Sequence, residues 1–292
     1  MSKGLYVGYW KEGLKSKAQA DLLIQRATEH GITELILGVR KANHVGQHVI
    51  TFPYVEYLKA NSGMKISLFV AVLPMWGRFW DDKIQNYHGI DRQWLMTDKP
   101  YYTQKEEDSG WLRYVDPMIT EGRAWLVDKI TSIAESQPDC DIFLNRTNYP
   151  IFYNACGVGT AEEKMQALSD MITEISQGIR SVSKGKIILI APGNIIAKDV
   201  AYIDYESLIA SGVVDKISPM ITSDKTVDSY VERFSQKSFP YIFTYTWDKQ
   251  INKFDGMDIY IHSYEKMYPT LTKKSEIALK KFQRLNLSGD TN

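Results

Sequence analysis

Short apolar runs alternate with segments of three-to-four hydrophobic spacing along nearly the whole chain. Gly4-Leu-Tyr-Val-Gly-Tyr-Trp10 is the first run. The segment after it clusters Leu22, Leu23, Ile24 and Ala27 on one side, as an amphipathic helix does, and Gly31 closes it. Glu34-Leu-Ile-Leu-Gly-Val39 reads as a second strand. A helix beginning after Thr51 carries Tyr54, Val55, Tyr57 and Leu58 and stops at Asn61-Ser-Gly63. Lys65-Ile-Ser-Leu-Phe-Val-Ala-Val72 is almost continuously apolar, the pattern of a parallel strand buried on both faces.

The alternation then lapses. Leu73 to Val115, about forty residues, shows no strong period, and a βα connection in a compact domain is about 2–6 residues long. The pattern resumes at Asp116-Pro117, where an N-cap followed by proline predicts a helix start. Trp125, Leu126, Ile130 and Ile133 form that helix's apolar side. Ile142-Phe-Leu144 is the fourth strand, and Glu162 to Val182 a long helix striped by Met165, Leu168, Met171, Ile172, Ile175 and Ile179. The fifth strand is Lys186–Pro192, followed by a helix over Tyr202–Ala210 that ends at Ser211-Gly212. The sixth is Asp215–Thr222, with a helix from Val227 to Phe234. Tyr241–Trp247 and Asp258–Tyr264 are the seventh and eighth strands, and Lys274–Leu285 is the last helix.

Eight strands, nearly all trailed by helices, predict an α/β protein: a (β/α)8 TIM barrel with a long aromatic-rich loop after strand 3. A doubly wound open sheet is the competing arrangement. With 292 residues and 44% hydrophobic composition, residues 1–292 fit a single barrel domain. Neither a glycine-rich dinucleotide fingerprint nor a phosphate loop is present, and no cofactor is expected.

Charge narrows the partners. Lys plus Arg and Asp plus Glu both number 35, so nothing favours nucleic acid or an anionic membrane surface. Cys140 and Cys156 are too few for a disulfide framework and lack metal-ligand spacing. His44 and His48, at i and i+4, fall in a glycine-containing stretch, and no metal site is expected. The N-terminus has no signal-peptide apolar region, and no window of 18 apolar residues occurs. The expected protein is soluble, either cytoplasmic or exported and virion-associated by another route.

In a barrel of this kind, chemistry collects where strands end. The strand ends hold Trp10 and Lys11, Arg40, Asn145, Arg146 and Tyr149, Asn194, Thr222 to Asp224, Trp247 and Asp248, and Tyr264 and Glu265. The irregular stretch adds Trp76, Trp80 and Trp111. Aromatic rings around polar groups suit a sugar, whose C–H faces stack while its hydroxyls bond to amides and carboxylates. Glycoside hydrolysis uses two carboxyl groups. Asp224, Asp248 and Glu265 are the acids at strand ends that could supply them, although surface acids and helix caps are the common fate of such residues. Glu34, Asp141, Asp215 and Asp258 fall at strand starts, on the face that serves stability.

Ile142-Phe-Leu-Asn-Arg-Thr-Asn-Tyr-Pro150 adds a family likeness. It resembles the fourth strand of glycoside-hydrolase-like (β/α)8 barrels, bacterial glycosidases of the family-ten-like type. Those carry Asp-Gly-Ile-His-Leu-Asp, then Arg or Asp and a Tyr-Pro. Leu5-Tyr-Val-Gly-Tyr-Trp10, Val115-Asp-Pro117 with Arg123, and Val214-Asp-Lys-Ile-Ser-Pro-Met220 are similar to further pieces, in the same order. The resemblance implies a carbohydrate-active enzyme on a poly- or oligosaccharide. It also implies that the fourth strand's acid is replaced by Asn145, which can bond a sugar but cannot donate a proton at neutral pH. The alternative expectation is therefore a catalytically silent barrel that binds glycan, or that serves a larger assembly such as a phage particle.

Overall fold

The structure, a computed structural model, describes residues 3–7, 16–40, 54–76, 86–87, 90–96, 112–149, 159–191, 202–221, 241–243 and 259–262. In chain order these form β1 (Lys3–Val7), α1 (Lys17–Glu29), β2 (Glu34–Arg40), α2 (Val55–Asn61) and β3 (Lys65–Ala71). Next come β4 (Pro74–Trp76), β5 (Asn86–Tyr87), β6 (Ile90–Asp91) and β7 (Leu112–Tyr114). They are followed by α3 (Thr120–Ser136), β8 (Asp141–Asn145), α4 (Ala161–Val182), β9 (Ile187–Ala191), α5 (Tyr205–Ala210), β10 (Lys216–Ile221), β11 (Tyr241–Phe243) and β12 (Ile259–His262). The helices expected over 227–234 and 274–285 lie outside the described residues, as does the seventh strand beyond Phe243.

The chain divides into two compact units. The first, residues 1–39, 51–69 and 216–292, is built on a parallel sheet. Within it β1 lies between β2 and β12, and β11 lies between β12 and β10. The register sets Leu5 opposite both Leu35 and Ile261. Leu35, Ile36 and Leu37 of β2 are all 0% exposed, so both faces of that strand are covered, and the apolar run is the sequence image of this. Glu34, at the start of β2, is fully buried; its Oε1 accepts from the Ser67 hydroxyl at 2.5 Å and pairs with Lys65 Nζ at 3.6 Å. α1 is capped by Ser16, buries Ala20, Leu23 and Ala27, and stops before Gly31 at φ +65.

The second unit comprises residues 40–50 and 70–215. Here β8 and β9 pair in parallel, Phe143 opposite Ile188, and both strands are buried along their apolar lengths. Two strand-start acids have defined work. Asp141 accepts from the Lys186 amide at 2.8 Å, and Asp215 accepts from the Ile187 amide at 2.7 Å while pairing with Arg180 at 3.1 Å. Each satisfies a backbone donor at the entry to a buried strand, where an orphan N–H would be costly.

α3 and α4 pack together. They bury Leu126, Ile130 and Ile133 on one, and Leu168, Met171, Ile172, Ile175 and Ile179 on the other, as their spacing predicts. Met165 is only half-buried.

Two expectations need correction. The stretch after β3 is not wholly irregular: β4 and β7 form an antiparallel ribbon that sets Trp76 opposite Leu112, and β5 pairs with β6. Ribbons of two or three residues are too short to give a readable alternation. The helix expected to start at Asp116 starts instead at Thr120. The Asp116 carboxylate accepts from Met118 N at 3.0 Å, a turn within the Asp-Pro-Met segment, and the helix nucleates only after it.

The approach of β9's leading turn to β8 has a testable consequence. A Cβ on Gly185 would lie 1.8 Å from the Cys140 carbonyl oxygen, whereas one on Gly63 (φ +65) would meet nothing within 4 Å. Gly185→Ala is therefore expected to cost about 1–3 kcal/mol or more by overpacking. Gly63→Ala should cost only the left-handed backbone penalty of about 1–2 kcal/mol. Urea unfolding of both variants checks this, and equal midpoints for wild type and Gly185→Ala would refute the close approach.

Candidate functional site

The polar run that leaves β8 folds back rather than out. Asn145 and Arg146 are half-buried, and their carbonyls accept from the Val72 and Leu73 amides at 2.8 and 3.3 Å. Arg146 turns the chain in the left-handed region, φ +53, and its Nη1 donates to the hydroxyl of buried Tyr114 at 3.2 Å. Thr147, Asn148 and Tyr149 follow at 0, 3 and 1% exposure. The Asn148 amide donates to the Tyr149 carbonyl at 2.7 Å, and the Thr147 hydroxyl meets no partner among the described residues.

Tyr149 reaches the Asp-Pro turn. Its phenol donates to Asp116 Oδ1 at 3.4 Å, the oxygen that also accepts from Met118 N. The turn is held from several sides. Val115 N donates to the Leu73 carbonyl at 3.1 Å and Asp116 N to the Trp94 carbonyl at 2.8 Å. Arg123 Nη1 donates to the Pro117 carbonyl at 3.4 Å while its Nε pairs with Glu174 of α4 at 3.1 Å.

Lys164, near the start of α4, completes the cluster from the other side. It is 5% exposed, with its ammonium 5.7 Å from the Tyr149 ring centroid and 5.2 Å from that of Tyr202. At these distances the ring faces attract the cation. The two rings meet edge-on at 5.6 Å. Tyr202 also has a left-handed backbone, φ +51.

Burial pushes the Asp116 carboxyl above the ordinary aspartate range. The Met118 amide, the Tyr149 phenol and the Lys164 charge oppose the shift without cancelling it. A buried acid of this kind retains its proton at a pH where surface aspartates have lost theirs, which is what a proton donor requires. Arg146 and Tyr202 are the two non-glycine residues with positive φ among the described residues. Strained backbone concentrates at functional sites, and here it flanks the buried acid, phenol and ammonium.

Of the residues expected from sequence, Asn145, Arg146 and Tyr149 come together at the end of β8. Trp76 lies on β4. Trp10, Trp80, Trp111, Trp247, Asp224, Asp248 and Glu265 lie outside the described residues. Asp116, Lys164 and Tyr202 were not expected as site residues. Asp116 reads as a helix cap and Tyr202 as a helix start. Lys164 carried a signal: it stands four residues before Leu168, on the apolar stripe of α4, where an exposed lysine does not belong. Among the described residues no group of three or more His, Cys, Asp or Glu is placed to hold a metal ion. None of their helices is long and apolar enough to cross a membrane.

No family model matches the chain, and no curated protein matches it in sequence. Solved structures do. A beta-galactosidase from the psychrophilic Marinomonas ef1 superposes with a TM-score of 0.65 at 8% identity, covering 100% of this chain and 60% of that one. A beta-galactosidase from Bacillus circulans sp. alkalophilus gives 0.61 at 10% identity, over 99% of this chain and 56% of the other. An alpha-galactosidase from Geobacillus stearothermophilus, solved with stachyose, gives 0.51 at 8% identity, over 98% and 42%. The chain thus spans about half the length of these enzymes. At such identity the likeness shows the fold: an α/β architecture on parallel strands, shared with glycoside hydrolases.

The electrostatics of Asp116 predict a pH signature. A carboxyl whose pKa is raised by folding stabilises the fold below its unfolded pKa, and that contribution is lost as pH rises through the folded value. Wild-type stability relative to Asp116→Asn should therefore fall as pH rises from the ordinary aspartate range toward neutrality. Urea unfolding at a series of pH values measures the difference. A gap that is flat with pH, or that runs the other way, would place Asp116 in a solvated setting.

Proposed function

We propose that the chain forms one (β/α)8 barrel domain and acts as a glycoside hydrolase on a poly- or oligosaccharide held in an aromatic-lined cleft. The observation that carries this reading is the likeness to glycosidase structures over the full length of the chain. It is supported by parallel pairing around β1, β12, β11 and β10 and between β8 and β9, and by the polar cluster at the end of β8. In a barrel that end belongs to the reactive rim. Trp10, Trp76, Trp80, Trp111 and Trp247 are the proposed stacking residues, and Asn145, Arg146 and Tyr149 the proposed polar contacts. Asp224, Asp248 and Glu265 are the proposed source of carboxylate chemistry.

A second reading keeps binding and drops turnover. It is favoured by Asn145, whose amide ends the strand where the resembled family carries an acid. In that case the barrel is a glycan-binding part of a larger assembly such as a phage particle.

Release of new reducing ends from a panel of plant, bacterial and chitin-type polysaccharides, alongside binding to the same panel, separates the two. The hydrolase reading expects turnover, with Trp76→Ala and Trp247→Ala each weakening binding about tenfold, or ~1.4 kcal/mol. Binding without turnover selects the silent barrel, and a chain that neither binds nor cleaves any glycan removes both.

A further inference from the structure

We propose that the Asp116 turn is a pH-sensitive latch on the start of α4 and the exit of β8, closed while its carboxyl is neutral and loosened when the carboxyl is charged. The latch is formed by residues of the second compact unit alone and is independent of the hydrolase reading.

The turn is fastened to both elements. At the exit of β8, the Tyr149 phenol donates to Asp116 Oδ1 at 3.4 Å. Met118 reaches the segment before α4: a Cβ on Gly159 would lie 2.9 Å from its Cε, and the next residue, Thr160, is the N-cap of α4. Arg123 links the Pro117 carbonyl to Glu174 of the same helix. The Lys164 ammonium lies over the faces of Tyr149 and Tyr202, 5.7 and 5.2 Å from their centroids. Displacing the turn therefore disturbs the strand exit and the helix start together.

The carboxyl at the centre is short of partners for a full charge. It is 6% exposed, and both of its described donors, the Tyr149 hydroxyl and the Met118 amide, go to Oδ1. A carboxylate offers about four acceptor sites on its two oxygens. Burying the charge with some of them unmet is costly, whereas the neutral acid needs less and brings a donor of its own. Lys164 offsets that cost through space.

The other described charged groups on the surrounding elements are engaged elsewhere or solvated. Arg123 pairs with Glu174, Glu163 accepts from the Thr160 amide, and Arg146 donates to Tyr114. Asp91 and Asp204 accept from the Gln93 and Ser207 amides. Glu121 and Glu162, in the first turns of α3 and α4, are exposed. Burial accordingly holds the Asp116 proton above the ordinary aspartate range. By linkage, the closed latch binds that proton more tightly than an opened, solvated one does. Closing is favoured at low pH, and opening grows as pH rises through the closed-state value.

Hydrogen exchange of the full chain, followed from about pH 4 to about pH 8 and corrected for intrinsic rates, tests this. Protection over residues 114–120 and 160–168 is expected to fall about tenfold as pH rises, the factor that one unit of pKa difference represents. Protection over β8 and β9 should stay constant. In Asp116→Asn the fall should vanish. A merely structural cluster would lose protection on that substitution at every pH alike.

Wild-type protection that is flat or rises with pH overturns the proposal, and so does a fall of the same size and midpoint in Asp116→Asn. Should that variant not fold, Tyr149→Phe decides. It keeps the ring that Lys164 faces and removes one hydrogen bond to the charged acid, so the midpoint should move to higher pH. An unmoved or lowered midpoint overturns the latch.

Discussion

A strand buried on both faces can enter the core only if its first backbone donors already have acceptors, and that constraint governs the entry to β9. The Lys186 and Ile187 amides, at the entry to β9, find the carboxylates of Asp141 and Asp215. Glu34, at the entry to β2, is buried against the Ser67 hydroxyl and the Lys65 charge. Asp141 comes from the start of the neighbouring β8, so the bond that settles the entry to β9 also fixes its register against β8. Carboxylates at these starts are thereby committed to structure. At the end of β8, by contrast, Arg146 turns in the left-handed region and the buried Thr147 hydroxyl meets no partner among the described residues.

This division explains what was legible in the sequence. The strand starts and the stripes of α1, α3 and α4 obey periods that survive burial. Leu23 and Ala27, Ile130 and Ile133, or Leu168, Ile172 and Ile175 are where spacing says they should be. The excursion between β3 and α3 was opaque because its ribbons are two or three residues long and its packing is non-local. Asp116 was misread for a related reason. An aspartate before a proline caps helices so commonly that local chemistry suggested a cap, while its burial depends on Tyr149 and Lys164, which lie 33 and 48 positions further along the chain. No local pattern carries that information.

Lys164 is the instructive miss. A lysine in an apolar stripe reads as noise, because long side chains usually reach solvent from such positions. Here the ammonium is kept in by two aromatic faces and a carboxyl, and its place on the stripe was itself the clue. Conversely, the run Asn145 to Tyr149 announced itself, since four polar side chains after an apolar strand have to be accounted for somewhere. Three of the residues expected from it do gather at one place, which neighbours the acid and ammonium that sequence alone did not connect.

Arg123 joins the Pro117 carbonyl to Glu174, and so fastens the turn bearing Asp116 to the helix that bears Lys164. The carboxyl and the ammonium are thus cargo on a single raft. Whatever displaces one of them therefore alters the electrostatic surroundings of the other, and the proton affinity of Asp116 is tied to the seating of α4.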